Sequence, residues 1–166
     1  MKKLLTLFSF GVLLTFFSCF KQEDIPTFEE QLERDLAAID AYLAQNSITA
    51  LQDPNNLIRY VIHEEGDGSS PGLSNCVTTS YKGKLFNGNV FDQNSNISFP
   101  LNGVIAGWQV GMQQLNKGDS ATLYIPSGLG YGRQGIGSIP GNANLIFNVR
   151  LKNIGTVYNN STGSCN

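Results

Sequence analysis

The sequence predicts an α+β domain in which an antiparallel β-sheet wraps around one short helix, with an additional helix on the N-terminal side. Three observations predict it. The 166 residues include 18 glycines and 6 prolines, which favours strands and turns over long helices. Alternating apolar and polar residues recur at Asn75–Lys82 and Asp119–Pro126 without the strand–helix–strand rhythm of a parallel sheet. Helical spacing is confined to Thr27–Leu43 and to a short stretch from about Ile105 to Leu115. The length suits one domain with extensions, and an apolar share of 41% can support its core. A net charge of −2 argues against electrostatic binding to nucleic acid. All 13 acids lie at or before Asp119, beyond which only Arg133, Arg150 and Lys152 carry charge.

The first segment, residues 1–18, reads as an address. Lys2 and Lys3 precede the apolar run Leu4–Phe17, too short for a comfortable membrane span and shaped like a secretory signal. It ends at Ser18-Cys19, which resembles a bacterial lipobox, with Phe16 where Leu is usual. Cleavage before Cys19 and lipidation of its thiol are expected; an ordinary signal peptide with an incidental cysteine is the alternative. Phe20 rather than Asp after Cys19 favours the outer membrane by the usual sorting pattern. The expected location is therefore the bacterial cell envelope, lipid-anchored at the outer membrane and facing the periplasm, with surface exposure left open. There Cys76 and Cys165 either pair as a disulfide or remain a buried thiol and a loose one.

Residues 19–26 read as a tether and 27–53 as a helix with its linker. The main domain spans 54–155, and 156–166 is a tail. Thr27 and Glu30 form a capping box, and Phe28, Leu32, Leu36, Ile39 and Leu43 follow as an apolar stripe with charges on the other faces. The stripe packs onto the domain or, alternatively, serves as a dimerisation helix or spacer. Asp53-Pro54-Asn55-Asn56 is a turn, Leu57–His63 a strand, and Gly66–Gly72 a loop. His63, the sole histidine, has no partner at ligand spacing, so no metal is expected. Asn75–Lys82 is a strand with Val77, Thr79 and Tyr81 on one face, and Asn87-Gly88 signals a hairpin. Val90–Asp92 and Ile97–Leu101 read as two short strands. The helix from Ile105 ends at Asn116-Lys117-Gly118, with Gly118 as its C-terminal cap. Asp119–Pro126 and Asn144–Ile154 complete the strands, and Asn159–Asn166 frays unless Cys165 holds it.

Gly130-Tyr131-Gly132-Arg133-Gln134-Gly135 spells a dinucleotide-binding pattern, but its context refuses that chemistry. Such a site needs a helix after the glycines and an acid about 20 residues on. Ile136–Gly141 cannot be helical, and no acid follows. The segment is a long loop of the kind that carries binding.

The stretch from Tyr81 to Trp108 gathers Tyr81-Lys82-Gly83, Asn89–Asp92, Phe99-Pro100-Leu101 and Val104–Trp108, with the only Trp of the chain at a helix start. No Ser/His/Asp set, metal cluster or phosphate loop accompanies it. A cup of aromatic rings with one acid suits an apolar ring substrate better than proton-transfer or redox chemistry. Taken singly, Phe91, Phe99 and Phe147 suit a plain core, Trp108 a barrel filling, Tyr131 a surface aromatic and Asp92 a strand end. As an ordered set with Gly130-Tyr131-Gly132 and Ala143–Phe147, they resemble the FKBP-type (macrolide-binding) peptidyl-prolyl isomerases over roughly Leu57–Ile154.

The resemblance implies an FKBP-like fold and rotation of X–Pro amides in exported proteins, without cofactor, metal or covalent intermediate. It assigns catalytic roles to Tyr81, Phe91, Asp92 and Tyr131, and substrate binding to Ile97, Phe99, Val104, Ile105, Trp108, Ile136, Ile139 and Phe147. Trp108 would be the floor under a proline ring, the Ile105 N–H would hold the peptide, and Tyr131 would offer its hydroxyl to a substrate carbonyl. Ile97 stands where relatives often carry an aromatic. Ile136 stands where some members carry His, and the loop to Pro140 is one residue short. The implied partners are proline-containing polypeptides, a macrolide as candidate ligand, and a membrane through the lipid anchor, with no nucleic acid. A binding or chaperone module of low activity in an envelope complex is the alternative function.

Overall fold

The computed structural model describes residues 25–166; the expected signal segment, Cys19 and most of the tether lie outside them. Helix α1 runs Phe28–Gln45 and opens on the capping box, with the Thr27 hydroxyl accepting from Glu30 N at 3.2 Å and the Glu30 carboxylate from Thr27 N at 2.8 Å. Six strands follow in one sheet: β1 Leu51–Gln52, β2 Arg59–Glu64, β3 Cys76–Leu85, β4 Val90–Pro100, β5 Ser120–Ile125 and β6 Leu145–Gly155. Their order is β1-β2-β5-β6-β3-β4, antiparallel throughout. Helix α2, Ala106–Met112, lies against the inner face, where Trp108 and Met112 join Leu123, Ile125, Phe147 and Val149 in the main core.

The outer face changes character along its length, and this places α1. Tyr124 and Ile146, beside Val61 and Phe86, form an apolar end, over which Leu36, Ile39 and Leu43 of the helix pack. Further along, the same face carries His63, Thr122 and Asn148, with the His63 ring 2.8 Å from the Thr122 hydroxyl. Two-sided burial explains why β5 is buried from Ala121 to Ile125 rather than alternately. Phe28, the first residue of the expected stripe, is 49% exposed and contributes little. Asp35, expected on a polar face, is buried.

Several boundaries differ from expectation for identifiable reasons. Val90–Pro100 is one strand rather than two, because pairing with β3 continues through two bulges, near Tyr81 and near Gly83. The second strand begins at Arg59, since the Asp53 carboxylate captures the N–H groups of Leu57 and Ile58 at 2.6 and 2.7 Å. Helix α2 stops at Met112 instead of Leu115, where the chain tightens into turns from Gln114 N to Gly111 O and Leu115 N to Met112 O. Gly118, with φ of +101°, is therefore no helix cap but the pivot of the turn into β5, where its N–H donates to Leu151 O at 2.7 Å. The tail is ordered as well: β7, Tyr158–Asn159, pairs with β8, Ser164–Cys165, and a Cys76–Cys165 disulfide with a Cα separation of 5.5 Å ties this hairpin to the start of β3.

That crosslink spans 89 residues, for which chain entropy gives about 4–5 kcal/mol of stabilisation. Cys165→Ser should lower the unfolding free energy by about that amount. The check is denaturant unfolding of oxidised wild type against the variant; coincident midpoints would remove the crosslink from the stability of the fold.

Candidate active site

A cavity of about 290 Å³ opens on the inner side of the sheet. Its floor is Trp108, and α2 can set the indole there because Gly107 and Gly111 let the helix lie directly on β5. A Cβ at Gly107 would overlap Ile125, and one at Gly111 would sit 2.7 Å from Leu123 Cδ1. Three rings meet Trp108 at steep angles: Tyr81 at 5.2 Å between centroids and 88°, Phe147 at 5.2 Å and 89°, and Phe99 at 5.4 Å and 60°. These edge contacts each add about 0.5–1.5 kcal/mol beyond area burial and immobilise the floor.

The remaining lining comes from Ile97, Gly103, Val104, Ile105, Asp92 and Tyr131. Ile97 and Phe99 project from β4, whose Val77↔Phe99 and Thr79↔Ile97 pairings set them on the same face as Tyr81. Val104 and Ile105 lead into α2, and Gln109 holds them by donating to the Val104 carbonyl at 2.8 Å. Ile105 O accepts from Trp108 N and Gln109 N, whereas its own N–H makes no hydrogen bond among the described residues.

Asp92 stands exposed at the rim, and its Oδ2 accepts from the Tyr81 hydroxyl at 2.5 Å. The acid is thereby engaged in orienting Tyr81. Burial, then the hydrogen bond and negative charge of Asp92, then neighbouring Tyr131, push the Tyr81 phenol well above its ordinary range. Burial and the Asp92 charge raise that of Tyr131 too. Both hydroxyls stay protonated in the physiological range, and the Tyr131 hydroxyl has no partner among the described residues. The arrangement is an apolar cup with two uncommitted donors facing it, the Tyr131 hydroxyl and the Ile105 N–H.

Three expected site residues stand elsewhere. Phe91 lies behind the wall, packed on Phe147 at 5.4 Å and 82°, in space available only because residue 83 is glycine; a Cβ there would come within 2.5 Å of Phe91 and 2.8 Å of Phe147. Ile136 is 60% exposed, while Ile139 is 7% exposed and belongs to the main core. The two pair across a bridge in the loop, yet only Ile139 reaches the core. Sequence reasoning missed Gly103 and Gln109, neither of which carries a distinctive type or spacing. The glycine-rich loop is turn chemistry: at Gly135, with φ of +65°, a Cβ would overlap the Ile139 carbonyl.

A second concavity, about 830 Å³, lies on the outer face among Ser80, Lys82, Asn94 and Arg150. It is larger and more open, lined mainly by polar side chains with Tyr81 and Val149 among them, and it lacks the indole floor of the smaller cavity.

Comparison with known proteins finds one family. A family model described as FKBP-type peptidyl-prolyl cis-trans isomerase matches residues 68–152. A probable FKBP-type peptidyl-prolyl cis-trans isomerase FkpA of Neisseria meningitidis serogroup B is 39% identical over 126 residues, covering 72% of this chain and 46% of that protein. Peptidyl-prolyl cis-trans isomerase Mip of Coxiella burnetii is 40% identical over 101 residues, covering 58% and 44%. The chain thus spans less than half the length of these relatives. Among solved structures, FkpA from Escherichia coli superposes with a TM-score of 0.65 at 32% identity, covering 76% of this chain and 62% of that one. A peptidyl-prolyl cis-trans isomerase from Pseudomonas syringae gives 0.64 at 29% identity, covering 79% and 97%.

The raised phenols imply an alkaline limit. Their neutral forms are favoured by folding, so the stability they contribute is complete below about pH 10, the unfolded value, and is lost as pH climbs toward the folded ones. Denaturation midpoints should hold up to about pH 10 and fall above it, and Tyr81→Phe should flatten that fall. A wild-type midpoint constant through the alkaline range would contradict the shifts.

Proposed function

The chain belongs to the FKBP-type peptidyl-prolyl cis-trans isomerases, and on that premise we propose that it catalyses rotation about X–Pro amides in exported polypeptides. The observation that carries this reading is the aromatic cup floored by Trp108, with the unengaged Tyr131 hydroxyl beside it. Uncatalysed rotation crosses about 18–20 kcal/mol because amide resonance is lost, and it takes tens of seconds or longer. No nucleophile or general base is needed. The cup accepts the proline ring against Trp108 and takes water away from the amide, which disfavours its planar, more polar form relative to the twisted one. In this reading the Ile105 N–H holds the peptide carbonyl, Tyr131 donates to a carbonyl of the substrate, and Asp92 acts through Tyr81 rather than as a base. Phe91 supports Phe147 from behind, and a macrolide would compete for the same cup.

The same proposal places the protein in the bacterial envelope, exported by the Lys2-Lys3 and Leu4–Phe17 signal and anchored through lipidated Cys19 at the outer membrane, facing the periplasm. The Cys76–Cys165 disulfide supports an oxidising compartment.

Short X–Pro peptides in a protease-coupled assay should isomerise faster with the protein present. Tyr131→Phe should reduce kcat/KM by roughly two- to tenfold, the worth of one neutral hydrogen bond, while leaving macrolide affinity within about twofold. Tight macrolide binding by folded wild type with no acceleration would refute the isomerase and leave a binding module.

The anchor is tested separately. Cys19→Ser should move the protein from the membrane to the soluble fraction of cells; a variant that remains in membranes with its signal removed would refute lipidation.

A further inference from the structure

We infer that Asp35, on a helix outside the 68–152 stretch that matches the family model, is a positioning residue for Tyr131. The inference rests on the isomerase reading above, because turnover is its main readout. Asp35 is 4% exposed, and each of its donors is a named neighbour. Oδ2 accepts from Ser127 N at 2.8 Å and from the Ser127 hydroxyl at 2.6 Å, and Oδ1 accepts from the Gln31 amide at 2.8 Å. Asn144 closes the arrangement, its side-chain oxygen accepting from Ser127 N at 3.1 Å and its amide reaching the Asp35 carbonyl at 3.4 Å.

What Ser127 does next gives this clamp a functional direction. Its carbonyl accepts from Gly130 N at 3.0 Å and from Gly132 N at 2.8 Å. Those two residues bracket Tyr131, whose side chain lines the cavity. A carboxylate on the outer side of the sheet therefore fixes, through one fully buried serine, both backbone neighbours of the pocket's free hydroxyl.

Simple docking of α1 does not require this. Leu36, Ile39 and Leu43 already bury its face, and a second polar tie exists in Asp40, which grips Arg59 at 2.8 and 3.0 Å. A buried carboxylate is costly unless every lone pair is used, and hydrogen bonds are directional where apolar packing is not. Asp35 sets an orientation, whereas Asp40 merely attaches.

The test is a double-mutant cycle in the full chain, read as kcat/KM on an X–Pro peptide under conditions where circular dichroism shows all variants folded. Asp35→Ala should lower kcat/KM by about two- to tenfold in wild type, no more than Tyr131→Phe does, and by less than about 1.5-fold in a Tyr131→Phe background. Asp40→Ala should destabilise the helix yet leave kcat/KM within about twofold. In NMR-detected exchange, the Gly130 and Gly132 amides should open at least about tenfold faster in Asp35→Ala than in Asp40→Ala. If Asp35→Ala does not fold, Ser127→Ala, which removes a single donor, should give the same pattern at smaller amplitude. Equal losses in both backgrounds, or an Asp40→Ala loss matching that of Asp35→Ala, would reduce Asp35 to a docking residue and overturn the inference. If wild type itself shows no turnover, the isomerase reading fails, and the exchange comparison still decides whether Asp35 holds the loop.

Discussion

Everything at the site depends on how closely α2 lies on β5. A helix carrying an ordinary residue at 107 or 111 would stand off the sheet, because Ile125 and Leu123 already occupy that space. With the helix raised, Trp108 would lose its three steep ring contacts and the cup would lose its floor. The glycines cost helix stability, about 0.5–1 kcal/mol each relative to alanine, in a helix of only seven residues. Tertiary packing repays that cost. The Trp108 indole N–H adds to it, being buried without an acceptor among the described residues.

The sheet is a partition between two cores with different tasks. The inner core, built from Leu123, Ile125, Phe147, Val149 and α2, shapes the cavity. The outer one, built from Tyr124, Ile146 and the stripe of α1, shapes nothing that a ligand would touch. The polar ties of α1 nevertheless reach both sides of the partition: Arg59 anchors the helix to a strand, and Ser127 links it to the loop that carries Tyr131. The helix is thus part of the structural unit even though the family model matches only residues 68–152.

Local signals explain what the sequence disclosed. The capping box, the stripe of α1 and the alternation of β3 depend on residues within a few positions of one another. The ring set was legible because an ordered family pattern places residues on known walls, even where single types are ambiguous. What was hidden is nonlocal. Asn94-Ser95-Asn96 looks like a loop but continues an edge strand, since only one side of its ladder needs a partner. Ile136 and Ile139 read alike, yet the fold of the loop leaves the first exposed and buries the second. Asp35 resembles any charge on an amphipathic helix; its partner Ser127 lies 92 residues away.

The division between the two rim tyrosines follows from these constraints. Tyr81 is pinned by a strand, a ring contact with Trp108 and the Asp92 carboxylate, so its proton is already committed. The Tyr131 hydroxyl has no such partner among the described residues, and its ring is held by packing at the core's edge and by the loop backbone. In the proposed chemistry that difference is useful: a committed hydroxyl adds rigidity and shape, and a free one can answer a carbonyl whose geometry changes as the amide twists. Asp92 serves this by occupying Tyr81. An acid released into the cup would instead repel the electron-rich carbonyl that the site has to receive. The single charge at the rim is tolerable because it is spent on a neighbour, and the cavity behind it stays apolar enough to favour the less polar, twisted bond.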